Sequence, residues 1–115
     1  MLLKKVFPLL FLLTLILSGS AFAEKATVVY YNGVNKSVVV LGFHGYSCGW
    51  VRDFSVGPKR LERGDELEGN FTLGSHRFRD ESYGRDIEIY FDEWWVNKDV
   101  AKKWVKAQEE KHNVW

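Results

Sequence analysis

The run DIEIYFDEWW at residues 86–95, followed at once by KDVAKKWVKAQEEK at 98–111, decides the fold class. Ile87, Ile89 and Phe91 alternate with Glu88, Tyr90 and Asp92, a period of two that reads as a strand with one apolar face. Trp94 and Trp95 are adjacent, so in a continuing strand they point to opposite sides. One indole then enters the core of a sheet, and the other needs a second cover. The stretch at 98–111 supplies it: Val100, Trp104 and Gln108 form one helical stripe with Ala101 and Val105 beside it, while Lys102, Lys103, Lys106 and Glu110 face water. Asn97 can cap this helix, with Asp99 near its positive end and Lys106 and Lys111 toward its negative end.

Upstream, ATVVYY (26–31) and SVVVLGF (37–43) are β-branched and aromatic. The Asn32-Gly33 step between them tolerates positive φ, the signature of a hairpin turn. GFHGYSCGW (42–50) carries three glycines and reads as a loop or a kinked strand end. A third strand over 51–56 is stopped by Gly57-Pro58. Strand four spans 66–73, with Leu67, Gly69, Phe71 and Leu73 on one face. Arg77 and Arg79 flank Phe78 in a short fifth strand, and Asp80 to Arg85 is the loop before the central strand. The pattern predicts a mainly β (α+β) domain: a small antiparallel β-sandwich or curled sheet of about five to seven strands, with one C-terminal helix, about 98–111, packed on it.

Residues 1–23 carry Lys4 and Lys5, an apolar run over 6–17 and the small-residue end Ala21-Phe22-Ala23, the pattern of a cleaved signal peptide. The apolar run is shorter than the roughly 20 residues a membrane-spanning helix needs. Residues 24–115 are therefore expected to form one β-rich domain, periplasmic or secreted, with no stable membrane insertion after cleavage. Losing Lys4 and Lys5 takes the 16 basic residues to 14 against 15 acidic ones, a net charge of −1. That balance argues against a nucleic-acid binder, which carries a basic excess. The lone Cys48 allows no internal disulfide; it reads as a small buried hydrophobe, the alternatives being a reactive thiol or a dimer bridged through it.

Three constellations are candidates for chemistry. Gly45-Tyr46-Ser47-Cys48-Gly49 matches G-x-S-x-G, and Ser47, Asp86 or Asp92, and His112 come in hydrolase order. Beyond Gly49, however, the chain has a strand pattern in place of a helix, and a chain this short cannot build the parallel sheet that holds such a triad. His44, Cys48 and His76 lack the paired spacing of a zinc site. Glu88 and Asp92, or the adjacent Asp92 and Glu93, make a poor acid/base pair and read as solvated strand carboxylates. No catalytic set, metal or cofactor is expected.

Aromatic content is the least ordinary feature. Without Phe7, Phe11 and Phe22 there remain five Trp, five Tyr and five Phe, more than a small domain readily buries. Tyr, Trp and Arg dominate protein interfaces, so the expected binding surface comprises Tyr46, Trp50, Tyr83, Arg85 and His44. The function expected is that of an exported, non-enzymatic binding protein whose partner is another protein, as an inhibitor or immunity-type protector in the bacterial envelope. A carbohydrate or cell-wall binding module is the alternative, and a small secreted hydrolase using Gly45–Gly49 the third reading.

Overall fold

The computed structural model describes residues 24–113, with side chains as far as 110. The leader expected over 1–23 and the cleavage point before Glu24 lie outside the described residues. Six antiparallel strands close into a barrel: β1 Glu24–Tyr31, β2 Ser37–Gly42, β3 Gly45–Phe54, β4 Glu66–Gly69, β5 Gly74–Asp80 and β6 Arg85–Val96. Their order around the barrel is β1-β2-β3-β6-β5-β4, and β1 pairs with β4 to shut it. Closure of this kind removes the open strand edges at which sheets add further strands. A helix, α1, Lys98–Asn113, lies on the outside, chiefly over β3.

The mainly β domain with a C-terminal helix is as the sequence predicts; the sandwich is not, and the reason lies in the irregularities. The β3–β6 register shifts three times and β1–β2 once, between Val28 and Tyr30. Such bulges raise local twist and bend a strand, which is how a sheet curls until its edges meet. Gly49 is required where β3 and β6 approach most closely: a Cβ there would sit 2.0 Å from the Tyr90 carbonyl oxygen. The stretch 42–50, expected as a loop or kinked strand end, is instead a tight turn at Phe43-His44 running straight into β3, which starts six residues before the strand expected at 51.

Two apolar clusters organise the molecule. The first fills the barrel: Val28, Val38, Val40, Leu67, Phe78, Ile87, Ile89 and Phe91 are almost wholly buried. Phe71, Phe78 and Phe91 pack ring against ring at 4.6–5.8 Å between centroids, within the range of favourable aromatic pairs. The alternation at 87, 89 and 91 thus points inward as expected. The second cluster lies outside the barrel wall, where Val39, Cys48, Ala101 and Trp104 are buried and Tyr46, Trp50 and Val105 pack around them.

Asn97 caps α1, its Oδ1 accepting the Val100 N–H at 2.9 Å, and the Trp104 Nε1–H donates to Asp92 Oδ2 at 2.9 Å. Asp92, expected as a solvated strand carboxylate, is the hydrogen-bond anchor between β6 and the helix.

The barrel has two ends. The lower holds the β1–β2 turn, the 55–65 loop and the β5–β6 turn. The upper holds the β2–β3 turn, the 70–73 loop and the junction of β6 with α1.

Candidate functional site

At the lower end, the residues flanking the β5–β6 turn form a buried ion pair. Arg85 Nε donates to Asp80 Oδ2 at 2.9 Å, with both side chains fully buried. The remaining guanidinium donors go to backbone carbonyls of the 55–65 loop: Val56 at 3.1 Å, Arg60 at 2.6 Å, and Pro58. The cation also lies 4.7 Å from the ring centroids of Phe54 and Tyr83. A buried charge is stable only when its donors are matched in this way, so Arg85 is a structural clamp holding the loop over the barrel mouth. Nearby, burial pushes the Tyr31 hydroxyl above the usual phenol range, with the Arg85 cation pulling the other way.

The five residues expected to make one binding surface are therefore spread over three places. Arg85 is buried and committed to its own chain, while Tyr83 is exposed beside it at the lower end. Trp50 and Tyr46 belong to the cluster beneath α1: the Trp50 ring lies 5.3 Å from Trp104 and 6.1 Å from Tyr90. His44 stands at the upper end.

There the structure assembles something that the alternation rule missed. Trp94 and Trp95 do not point to opposite sides; their rings lie 4.5 Å apart. Trp95 adopts φ 50°, a left-handed conformation rarely taken by a bulky residue and costing about 1–3 kcal/mol. That rotation breaks the period of two. Gly45, at φ 139°, makes room for it: a Cβ there would meet the Val96 carbonyl oxygen at 2.9 Å and the Trp95 backbone within 3.4 Å. The row continues outward, with His44 4.2 Å from Trp95 and Phe43 5.2 Å from His44.

Four rings thus form a continuous tier, Trp94–Trp95–His44–Phe43, along the upper rim. Phe43 at its tip is 95% exposed and Trp94 39%. Leu73, in the loop at the same end, is 56% exposed. Phe43 was the signal available in the sequence: an apolar ring at the tip of a glycine-flanked turn, where turn chemistry favours Asn, Asp or Gly.

The geometry at Ser47 does not fit the hydrolase reading, and the side chain of His112 lies outside the described residues. Ser47 lies within β3, 1% exposed, and its Oγ accepts the Trp95 N–H at 3.4 Å; it is a strand residue rather than the exposed serine of an elbow. Cys48 is fully buried under α1. Burial first, then the carboxylates of Glu93 and Asp92, push its thiol up to about 12. A bridge from Cys48 to a second chain requires the helix to lift. Among the described residues, no three or more His, Cys, Asp or Glu are grouped to hold a metal ion, and no helix is long and apolar enough to cross a membrane.

A concavity runs along the outside of the barrel between α1 and the β1–β2 face, about 450 Å³ in volume, with Val29, Val39, Leu41 and Tyr46 as its floor. No family model, curated protein or solved structure matches this chain.

Proposed function

We propose that this is a non-enzymatic binding protein that acts after export and docks another protein, as an inhibitor or an immunity-type protector, through the aromatic tier at the upper rim. The observation that carries the reading is the tier itself. A backbone conformation that costs free energy at Trp95 keeps four rings together at the surface, where Phe43 gains almost nothing from its own fold. Strain retained beside exposed apolar surface points to use by something outside the chain. Large rings with few rotatable bonds lose little entropy on docking, which makes them effective interface anchors. The leader pattern at 1–23 supports export to the periplasm or beyond.

The test is affinity capture from an envelope extract on immobilised protein, comparing the native chain with Phe43→Ser and with Trp94→Ser. One stoichiometric protein partner is expected, with affinity reduced tenfold or more by each variant, the loss typical of a truncated anchor. Recovery of polysaccharide or peptidoglycan in place of protein moves the assignment to a carbohydrate-binding module. Capture indifferent to both substitutions removes the tier from the function.

A further inference from the structure

The groove between α1 and the barrel has a composition that neither packing nor solvation explains. The outer face of a strand exposed to water is ordinarily polar, yet β1 and β2 present Val29, Val39 and Leu41 there. The helix covers Val39, which is 3% exposed, and leaves Leu41 at 39%. The bulge at Val28–Tyr30 directs Val29 and Tyr30 together onto this outer side, where both pack against the cluster under the helix. Val105 and Ala101 supply the helix wall.

The charged side chains that line this apolar trough are all basic. Lys98 and Lys102 line it from the helix and Arg63 from the opposite wall, with no carboxylate among the described lining residues. Arg63 is held there by the loop that docks on β1 through the Gly64 N–H to the Val28 carbonyl, at 2.8 Å. Lys98 opens the helix, where the partial positive charge of the terminus is met by Asp99 in the first turn. At the other end the Tyr30 hydroxyl donates to Glu109 at 3.1 Å and ties β1 to α1. Lys98 and Lys102 thus mark the part of the trough near the start of the helix, and the Tyr30–Glu109 hydrogen bond straps its other end. Its volume of about 450 Å³ falls in the range of roughly 300–1,000 Å³ found for small-molecule sites.

We infer that this groove binds a single-chain anionic amphiphile, with the acyl chain along Val29, Val39 and Leu41 and the anionic head at Lys98 and Lys102, while Arg63 adds positive charge from the opposite wall. Charge complementarity selects the head, and uncovered aliphatic surface selects the tail. A free fatty acid and an anionic lysophospholipid share this chemistry. The site is separate from the aromatic tier and does not depend on the protein-docking reading.

The experiment is calorimetric titration of the purified protein with dodecanoate below its micellar concentration, alongside dodecyltrimethylammonium and acetate. Saturable binding of one dodecanoate is expected, with the cationic amphiphile and acetate at least tenfold weaker. Lys98→Glu with Lys102→Glu is expected to weaken dodecanoate tenfold or more, and Arg63→Glu, on a loop outside the helix, to do so independently with an unchanged melting temperature. Filling the trough by Leu41→Trp abolishes binding while the far-ultraviolet spectrum is retained. A lysophosphatidylglycerol arm separates the two sources, the tighter ligand marking the physiological class. No binding, equal binding of both dodecyl amphiphiles, or affinity unmoved by the charge reversals overturns the inference.

Discussion

At the lower end of the barrel a charged side chain is taken wholly out of water, and at the upper end large rings are left in it. Arg85 is buried with donors directed to Asp80 and to three loop carbonyls. Trp94, Trp95, His44 and Phe43 are lined up on a rim where chiefly their mutual contacts shield them. The two arrangements respond to opposite demands. Burying a guanidinium is tolerable only as part of a complete partner set, so the partners at the lower end belong to the same chain. Exposing a contiguous apolar surface gains the fold little, and it is on that exposure that the proposed docking role rests. Substitutions at the two ends should therefore separate stability from binding.

The largest expected effect is at Asp80. Asp80→Ala leaves the Arg85 cation buried without its counter-charge and should cost about 3–5 kcal/mol in urea denaturation. The double change Asp80→Ala with Arg85→Met removes the orphaned charge and should recover most of that loss. If Asp80→Ala alone costs no more than an ordinary surface substitution, the clamp does not hold the lower end shut.

A smaller effect belongs to the wall between the ends. Trp104→Phe keeps an aromatic ring beside Trp50 but removes the Nε1–H that reaches Asp92. A hydrogen bond to a charged but solvent-reached acceptor is worth about 1.5 kcal/mol, and its loss should loosen α1 from β3. Cys48 reports on that. Its thiol is covered by the helix and pushed up to about 12, so at pH 8 the native protein holds little thiolate to react. Labelling by a thiol–disulfide reagent should be slow in the native chain and faster in Trp104→Phe. A thiol that titrates higher folded than unfolded favours the native state below its ordinary range, so this contribution to stability fades as pH climbs toward about 12.

Much of this architecture is legible in local pattern, and what is not fails for identifiable reasons. The inward face of Ile87, Ile89 and Phe91, the β1–β2 hairpin and the cap at Asn97 depend on neighbours a few residues away, although in the hairpin turn the positive φ falls on Lys36 and not on Asn32 or Gly33 as the Asn-Gly step suggests. Barrel closure depends on β1 meeting β4, a pairing between Glu24 and Gly69 that no local period encodes. The glycines at 42, 45 and 49 read as loop punctuation, but of these only Gly45 takes a positive φ, and Gly49 admits the neighbouring strand. Arg85 resembles a surface residue because it borders a turn, whereas Tyr83, within that turn, is exposed as its position suggests. The opposite charges of Asp80 and Arg85, at the two ends of a tight turn and paired in register, were the available sign of a clamp. At Trp94-Trp95 the rule of alternation gives way to one strained residue, and the rim tier that this residue creates is invisible to any reading by period.

The smallest expected effect on stability, and the sharpest test of the contrast, is at Phe43. Its side chain is 95% exposed, and its ring meets that of His44, so Phe43→Ser removes almost no buried area. Surface substitutions without a special backbone role change stability by less than about 0.5 kcal/mol, and Phe43 is not among the residues with positive φ. The melting temperature should be unchanged while partner binding falls. Trp95 gives the intermediate case: Trp95→Gly relieves the left-handed strain but deletes the ring joining Trp94 to His44, so it should weaken binding at a stability cost well below that of Asp80→Ala. Should Phe43→Ser lower the melting temperature as far as Trp104→Phe does, the rim is a packed part of the fold like the lower end, and the argument that its rings await a partner fails.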